Sequence, residues 1–236
     1  MPKGRDWHPN RRNINDPDGE PMKIVDPNNW PRKTSYNTFI DYSDPSFSIT
    51  TRLDVTRLWN RCKDEGMSFF TDFLYIVMRQ LNDIEEFRTR LLGDQIVVYD
   101  VVHPGFVVIK EDESITSARV EMVDDYPEFY NKIRDTIDYT KAHTSIANMN
   151  EGFGNDVVFI SCLPWMDFTS ITNPYDHSNK ESCSIPRITW GKVMEDSEHK
   201  TMAFDVSAHH SLVDGYQVYK LVKKIQDSLD SLDLFI

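Results

Sequence analysis

The chain predicts a mixed α/β domain, because three features of the sequence point the same way. Short apolar runs with strand character are interspersed with segments whose apolar residues recur every three or four positions, the arrangement that builds a sheet covered by helices. The 236 residues, 39% of them hydrophobic, suffice for one substantial core and fit a single domain. No internal repeat or low-complexity tract interrupts the pattern.

The elements follow in order. Residues 1–29 are rich in Pro, Asn, Asp and Arg with hardly an apolar side chain, so alone they cannot offset the entropy of ordering. A flexible tail or a strap on a neighbouring subunit is expected there, with globular character from Trp30 onward. Residues 53–63 read as a helix. Residues 68–92 read as a longer one, carrying Phe70, Phe73, Leu74, Val77, Met78 and Leu81 on one face. Strands are expected at 96–102 and 105–110 around a turn at His103-Pro104-Gly105. A strand at 114–121, a helix at 126–141 and a buried strand at 157–163 come next, and the polar, turn-rich residues 173–184 read as a surface loop. Residues 201–207 alternate around Met202, Phe204 and Val206 as a half-buried strand. A closing helix then buries Val218, Leu221, Val222, Ile225, Leu229 and Leu232.

The formal charge of −12 and the lack of a Lys/Arg run argue against a nucleic-acid or anionic-membrane surface. No stretch approaches the roughly 20 apolar residues needed to cross a bilayer, and no signal-like apolar core is present at the start, so a soluble cytoplasmic protein is expected. Cys62, Cys162 and Cys183 lack motif spacing and read as small core residues in a reducing compartment. No Gly-rich phosphate loop is present.

Chemistry concentrates at Ala208-His209-His210-Ser211-Leu212-Val213-Asp214-Gly215, between the last strand and the closing helix. Neighbouring strand residues point to opposite faces, so one histidine should face a cleft and the other should be structural. Three readings compete: two packed histidines, a metal site built with Asp214, or a general base, for which imidazole is well matched to neutral pH. The metal reading lacks a nearby third ligand.

His-His-x-x-x-Asp-Gly followed by an amphipathic helix resembles the active-site signature of the chloramphenicol acetyltransferase family, whose wider relatives are the dihydrolipoyl acyltransferases and peptide-synthetase condensation domains. Further segments match the family pattern in the same order: Trp30-Pro31-Arg32-Lys33, Glu86-Phe87-Arg88, Val102-His103-Pro104, the block from Phe159 through Ser161, Pro164 and Trp165 to Phe168-Thr169-Ser170, and Thr189-Trp190-Gly191-Lys192. The resemblance spans about residues 24–229. It implies an N-terminal extension over 1–23 and one domain over 24–236, a two-layer sandwich of a mixed β-sheet with helices.

What the resemblance implies for function is direct acetyl transfer from acetyl-CoA, as co-substrate, to an acceptor hydroxyl, with chloramphenicol foremost, in a homotrimer whose active sites lie between subunits. No metal takes part. By the same resemblance His210 is the general base and Ser161 the oxyanion donor, which are the two roles acyl transfer to a hydroxyl demands. Thr189 holds a water near the transition state. Asp214, which invites a Ser-His-Asp reading, instead pairs with Arg32. Lys192 and Trp165 lie close to the coenzyme. Phe39 and Phe47 keep aromatic character in the acceptor pocket, while Pro45, Ile115 and Asn173 depart from the family's usual side chains there. Two other readings stand beside this one: an acyltransferase for another small alcohol or a thiol, and a non-catalytic binding relative. A dihydrolipoyl acyltransferase would carry a lipoyl domain and a Pro/Ala-rich linker, neither of which the sequence holds.

Overall fold

The computed structural model describes residues 22–142 and 153–235. Of the tail expected over 1–29, residues 1–21 lie outside them. Two sheets and a layer of helices make up the molecule. The smaller sheet holds β1 (Met22–Ile24), β3 (Thr89–Leu92) and β4 (Gln95–Tyr99), in the order β1-β4-β3. The larger holds β2 (Ser46–Asp54), β5 (His103–Ile109), β6 (Ile115–Arg119), β7 (Val157–Cys162), β8 (Arg187–Asp196) and β9 (His199–His209), in the order β2-β9-β8-β7-β5-β6. Strands β5, β7 and β8 run parallel, and the remaining pairings are antiparallel.

Helices α2 (Thr56–Glu65), α3 (Phe69–Asn82), α5 (Tyr126–Ala142) and α7 (Gly215–Ser231) form the second layer, with short α1 (Lys33–Phe39), α4 (Glu85–Arg88) and α6 (Lys180–Cys183) at the periphery. The core lies between α3 and the large sheet, where Phe73 packs edge-on against Trp190 of β8 and Phe204 of β9, and Phe70 meets Phe106 of β5. Arg90, wholly buried, donates to the carbonyls of Phe87, Thr89, Asn155 and Val157 and so pins the small sheet to the start of β7.

Several elements differ from the sequence reading for identifiable reasons. Residues 22–29 belong to the fold: β1 pairs with β4 and Val25 is buried, so sheet pairing supplies what composition withholds. Leu53 and Asp54 end β2, and the helix starts at Thr56, whose backbone N–H is taken by the Asp54 carboxylate. The long helix expected over 68–92 breaks after Asn82, whose amide bonds the backbone of Val102 in both directions, and the chain resumes as α4 and then β3. His103 and Pro104 are not a turn. They open β5, and β4 lies in the other sheet. Residues 173–184 are the surface loop expected as far as Lys180, but Asn173 bonds the sheet face away from the helices and Ser182, Cys183 and Ser184 lie in the interior. That packing also explains why β9, expected half-buried, is buried continuously from Met202 to His209.

Candidate active site

The geometry starts at the end of β9. Both Leu212 and Val213 donate backbone N–H groups to the His209 carbonyl at 3.0 Å, closing a tight turn before α7. Asp214 then caps that helix, its side chain accepting from the Tyr216 N–H at 3.1 Å while Gln217 Oε1 accepts from the Asp214 N–H.

The turn sends the two histidines to different places. His209 is 3% exposed, and its Nδ1 accepts from the Ser211 hydroxyl at 2.7 Å and the Ser211 N–H, which assigns the ring proton to Nε2. Burial, aided by the nearby charges of Lys180 and His210, holds its pKa down to about 4, so this ring is neutral and structural. His210 donates its backbone N–H to the carbonyl of buried Pro45 and lays its ring against Phe39, centroids 4.0 Å apart, with Phe47 at 4.6 Å. Its Nδ1 is covered, so Nε2 is the nitrogen open to the outside.

Arg32 meets Asp214 through Nη1 and Oδ2 at 3.0 Å, across 182 positions of sequence. Burial raises the Asp214 pKa, but the Arg32 hydrogen bond and charge, with the N–H groups of Tyr216 and Gln217, outweigh it and leave the carboxyl below its usual range. Arg32 also occupies the N-cap position of α1, its carbonyl accepting from the Tyr36 N–H at 2.9 Å, and the last residue of that helix is Phe39. The ion pair therefore ties the helix bearing the ring-stacking Phe39 to the turn bearing His210. Gln217 continues the chain of contacts by donating to Glu86, which gives the Glu86-Phe87-Arg88 segment a structural role in the same anchor.

Ser161 sits elsewhere. On β7 it pairs with Thr189 of β8, which pairs with Asp205 of β9, which pairs with Thr50 of β2, so one rung crosses four strands. Thr189 is fully buried, whereas Ser161 is partly exposed and lines a cavity of about 850 Å3. Residues following β7 fold back on β8, Leu163 N–H donating to the Trp190 carbonyl and Lys192 N–H to that of Met166. Gly191 permits this approach: a Cβ there would stand 2.9 Å from the Met166 carbonyl oxygen. The result brings Trp165, 56% exposed, and Lys192 together on the cavity. Lys141, at the end of α5, adds a second ammonium to the lining. Sequence reading passed over Lys141 because a lysine ending an amphipathic helix has the pattern of a solvated residue. Cys162 also faces the cavity, but burial pushes its thiol up to about 12 and leaves it inert.

The two halves do not meet within one chain. His209 lies four residues along β9 from Asp205, and two strand spacings separate β9 from β7. At roughly 3.4 Å per residue and 4.8 Å per strand, its Cα is roughly 17 Å from that of Ser161. His210, Phe39 and Phe47 form one cluster, and Ser161, Trp165, Lys192 and Ile115 another. Ile115 is 62% exposed on β6, at the opposite edge of the sheet from the β2 residue Phe47, so the chain does not assemble Phe39, Phe47 and Ile115 into a single wall. Asn173 is held against the sheet face by hydrogen bonds to Ser207 and Thr189. Among the described residues no group of three or more His, Cys, Asp or Glu is placed to hold a metal ion, and no helix is long and apolar enough to cross a membrane.

Comparison with known proteins gives a consistent result. The family model described as chloramphenicol acetyltransferase matches residues 21–226. A chloramphenicol acetyltransferase of Proteus mirabilis is 28% identical over 209 residues, covering 88% of this chain and 94% of its own. One from Escherichia coli is 27% identical over 208 residues, covering 87% and 93%. A solved chloramphenicol acetyltransferase structure superposes with a TM-score of 0.82 at 30% identity, over 88% of this chain and 99% of the other. The cubic core of a pyruvate dehydrogenase complex, at 15% identity and a TM-score of 0.61, shares the fold.

Proposed function

The chain belongs to the chloramphenicol acetyltransferase family, and from that premise we propose that it transfers the acetyl group of acetyl-CoA to a hydroxyl of chloramphenicol, with His210 as the general base. The observation that carries the assignment of the base is the His210 ring itself, clamped between Phe39 and Phe47 at the end of a rigid strand with Nε2 outward.

The residues supply what the reaction needs. His210 accepts the acceptor's hydroxyl proton at Nε2 as that oxygen bonds to the thioester carbonyl carbon. Ser161 donates its hydroxyl to the charge that develops on the carbonyl oxygen. When the carbon–sulfur bond breaks, the sulfur leaves with the electron pair and recovers the proton from His210, which returns to neutral. Trp165 offers an indole face, and Lys192 and Lys141 offer ammonium groups, to a co-substrate with apolar and phosphate parts. Thr189, being buried, reaches the reacting atoms through an intervening water rather than directly.

His210 and Ser161 must act on the same molecule, and the roughly 17 Å between Ser161 and His209, the neighbour of His210 at the end of β9, supports a site shared between subunits. One subunit contributes the histidine cluster and its neighbour the serine cluster. Such a head-to-tail contact closes into a ring, and the family resemblance makes that ring a trimer.

The test is an acetyl-CoA turnover assay that follows free thiol, with chloramphenicol and other hydroxylated antibiotics as acceptors. Chloramphenicol-dependent thiol release, lost in His210→Ala, is the expected result. Release with another alcohol and none with saturating chloramphenicol would discard the acceptor and keep the acetyltransferase.

A further inference from the structure

Asp205 is a fully buried carboxylate on the sheet face away from the helices, and the roles just described for His210, Ser161 and Thr189 do not use it. It accepts three hydroxyl hydrogen bonds: Ser48 and Thr50 of β2 donate to Oδ1, and Ser207 donates to Oδ2 at 2.9 Å. With its proton committed to Asp205, Ser207 has only lone pairs to offer elsewhere, and Asn173 meets them with its amide Nδ2 at 3.0 Å. That fixes which way the Asn173 amide faces. Its Oδ1 points to Thr189, whose hydroxyl donates to it at 3.5 Å, the longest link in the series.

We propose that Asp205 is a positioning residue that sets the direction of this relay, holding Asn173 on the sheet face and committing the Thr189 hydroxyl to donate toward Asn173. Thr189 then presents only acceptor lone pairs on its remaining side. A water or ligand donor there has its orientation dictated by a carboxylate three links away. The relay runs Thr189 to Asn173 to Ser207 to Asp205, and every link is a donor meeting an acceptor; the other neighbour of Ser207, the Ser48 hydroxyl at 3.2 Å, gives its own proton to Asp205 and so does not reverse the sense. The inference rests on the acetyltransferase reading, which places Thr189 beside the reacting atoms. It also accounts for an amide at position 173, where the family resemblance leads one to expect an apolar side chain.

Exchanging the ends tests it. In Asp205→Asn, built like the double variant on a Ser48→Ala background that removes the other acceptor of the Ser207 proton and serves as the reference, the new amide donates to Ser207, so Ser207 turns its proton toward Asn173, the Asn173 amide flips, and Thr189 is forced to accept instead of donate. The expected result is a kcat lowered between about 10- and 100-fold with the acetyl-CoA KM unchanged. Adding Asn173→Asp puts an acceptor-only group between Ser207 and Thr189, restores the sense at Thr189, and should recover most of the lost kcat. A purely structural Asp205 predicts the opposite, since the double variant disturbs two buried sites and would be worse than either single one. An unchanged kcat in Asp205→Asn, or no recovery in the double variant, overturns the proposal. Should Asp205→Asn fail to fold, Ser207→Ala cuts the relay at an uncharged link and must give the same loss of kcat. If the unaltered protein acetylates nothing, the activity reading has failed, and the relay is judged by the Asn173 side-chain amide in an NMR spectrum. One proton must be protected from solvent exchange, and Ser207→Ala must remove that protection.

Discussion

His210 lies flat against Phe39, the ring centroids 4.0 Å apart and the planes only 11° from parallel. A residue at the end of a seven-residue helix thus fixes the ring of a residue 171 positions later in the chain. The contact leaves the imidazole no freedom to tilt, which is how a general base is kept aimed at the proton it removes.

Truncating that support should therefore act on turnover. Phe39→Ala is expected to lower kcat by about 10- to 100-fold, because the ring loses one of its two clamps and its direction with it. Phe39→Tyr, which keeps the aromatic face, should hold kcat near the unaltered value. Steady-state kinetics at saturating acetyl-CoA decide the matter, and equal kcat for the alanine and tyrosine variants would mean the stack does not orient the base.

The Arg32–Asp214 pair ties the same helix to the same turn, so breaking it should show in both stability and rate. Arg32→Ala and Asp214→Ala each strand a half-buried partner, and each is expected to destabilise by about 3 kcal/mol at most, given that both side chains keep some exposure. The double variant should cost less than the sum of the two, because no orphaned charge remains. Strict additivity in a denaturant-melt cycle would show that the two groups do not interact in solution.

His209 predicts a pH dependence with a definite sign. An unfolded histidine titrates near 6.5, whereas burial holds the folded one down to about 4. Folding thus favours the neutral ring. That contribution is complete above pH 6.5 and is lost as pH falls from 6.5 toward 4, where the unfolded chain takes up a proton the native ring refuses. The change across the window is about 3 kcal/mol. Asp214 behaves as a carboxylate with a depressed pKa, so its contribution is lost only at still lower pH, on falling through its folded value. Urea denaturation at pH 7 and pH 4.5 should show the fall, and His209→Asn, which keeps an acceptor for Ser211, should flatten it. An equal slope in both proteins would place the titrating group elsewhere.

Legibility in the sequence followed the range of the interactions involved. The alternation of strand and helix patterns, the closing helix and the strand carrying Ser161 were readable, because each is encoded by local periodicity. Boundaries failed where a partner far along the chain decides them. Leu53 continues a strand because Met202 lies opposite, and residues 68–92 cannot remain one helix once Asn82 bonds Val102. Within the site, the separation of His209 from His210 was readable, although the turn that follows β9 at His209, and not strand alternation, produces it. Lys141 and the hydroxyls around Asp205 carried no signal, since each becomes special only through neighbours that the fold supplies. The grouping of Phe39 and Phe47 with Ile115 depends on assembly: Phe47 and Ile115 sit at opposite edges of the sheet in one chain, so only a second subunit could bring them to one pocket.

That same distribution makes the last prediction, which concerns where a complete site is assembled. His210→Ala and Ser161→Ala should each retain about one per cent of turnover at most, as loss of a general base costs about 10²- to 10⁴-fold and loss of an oxyanion donor about 10²- to 10³-fold. If each site joins His210 of one subunit to Ser161 of the next, a ring containing both variants holds some sites in which an intact histidine faces an intact serine. Random assembly from an equal mixture gives each half-site an even chance of being intact, so about a quarter of the sites should work. Co-refolding the two variants, with mixed rings verified by native mass spectrometry, should accordingly restore about a quarter of the unaltered activity. A site contained in one chain could gain nothing from mixing, because every chain in the mixture lacks one of the two residues. Mixed rings no more active than the separate variants would therefore refute the shared site, and with it the head-to-tail ring, while leaving the fold and the two local clusters as they stand.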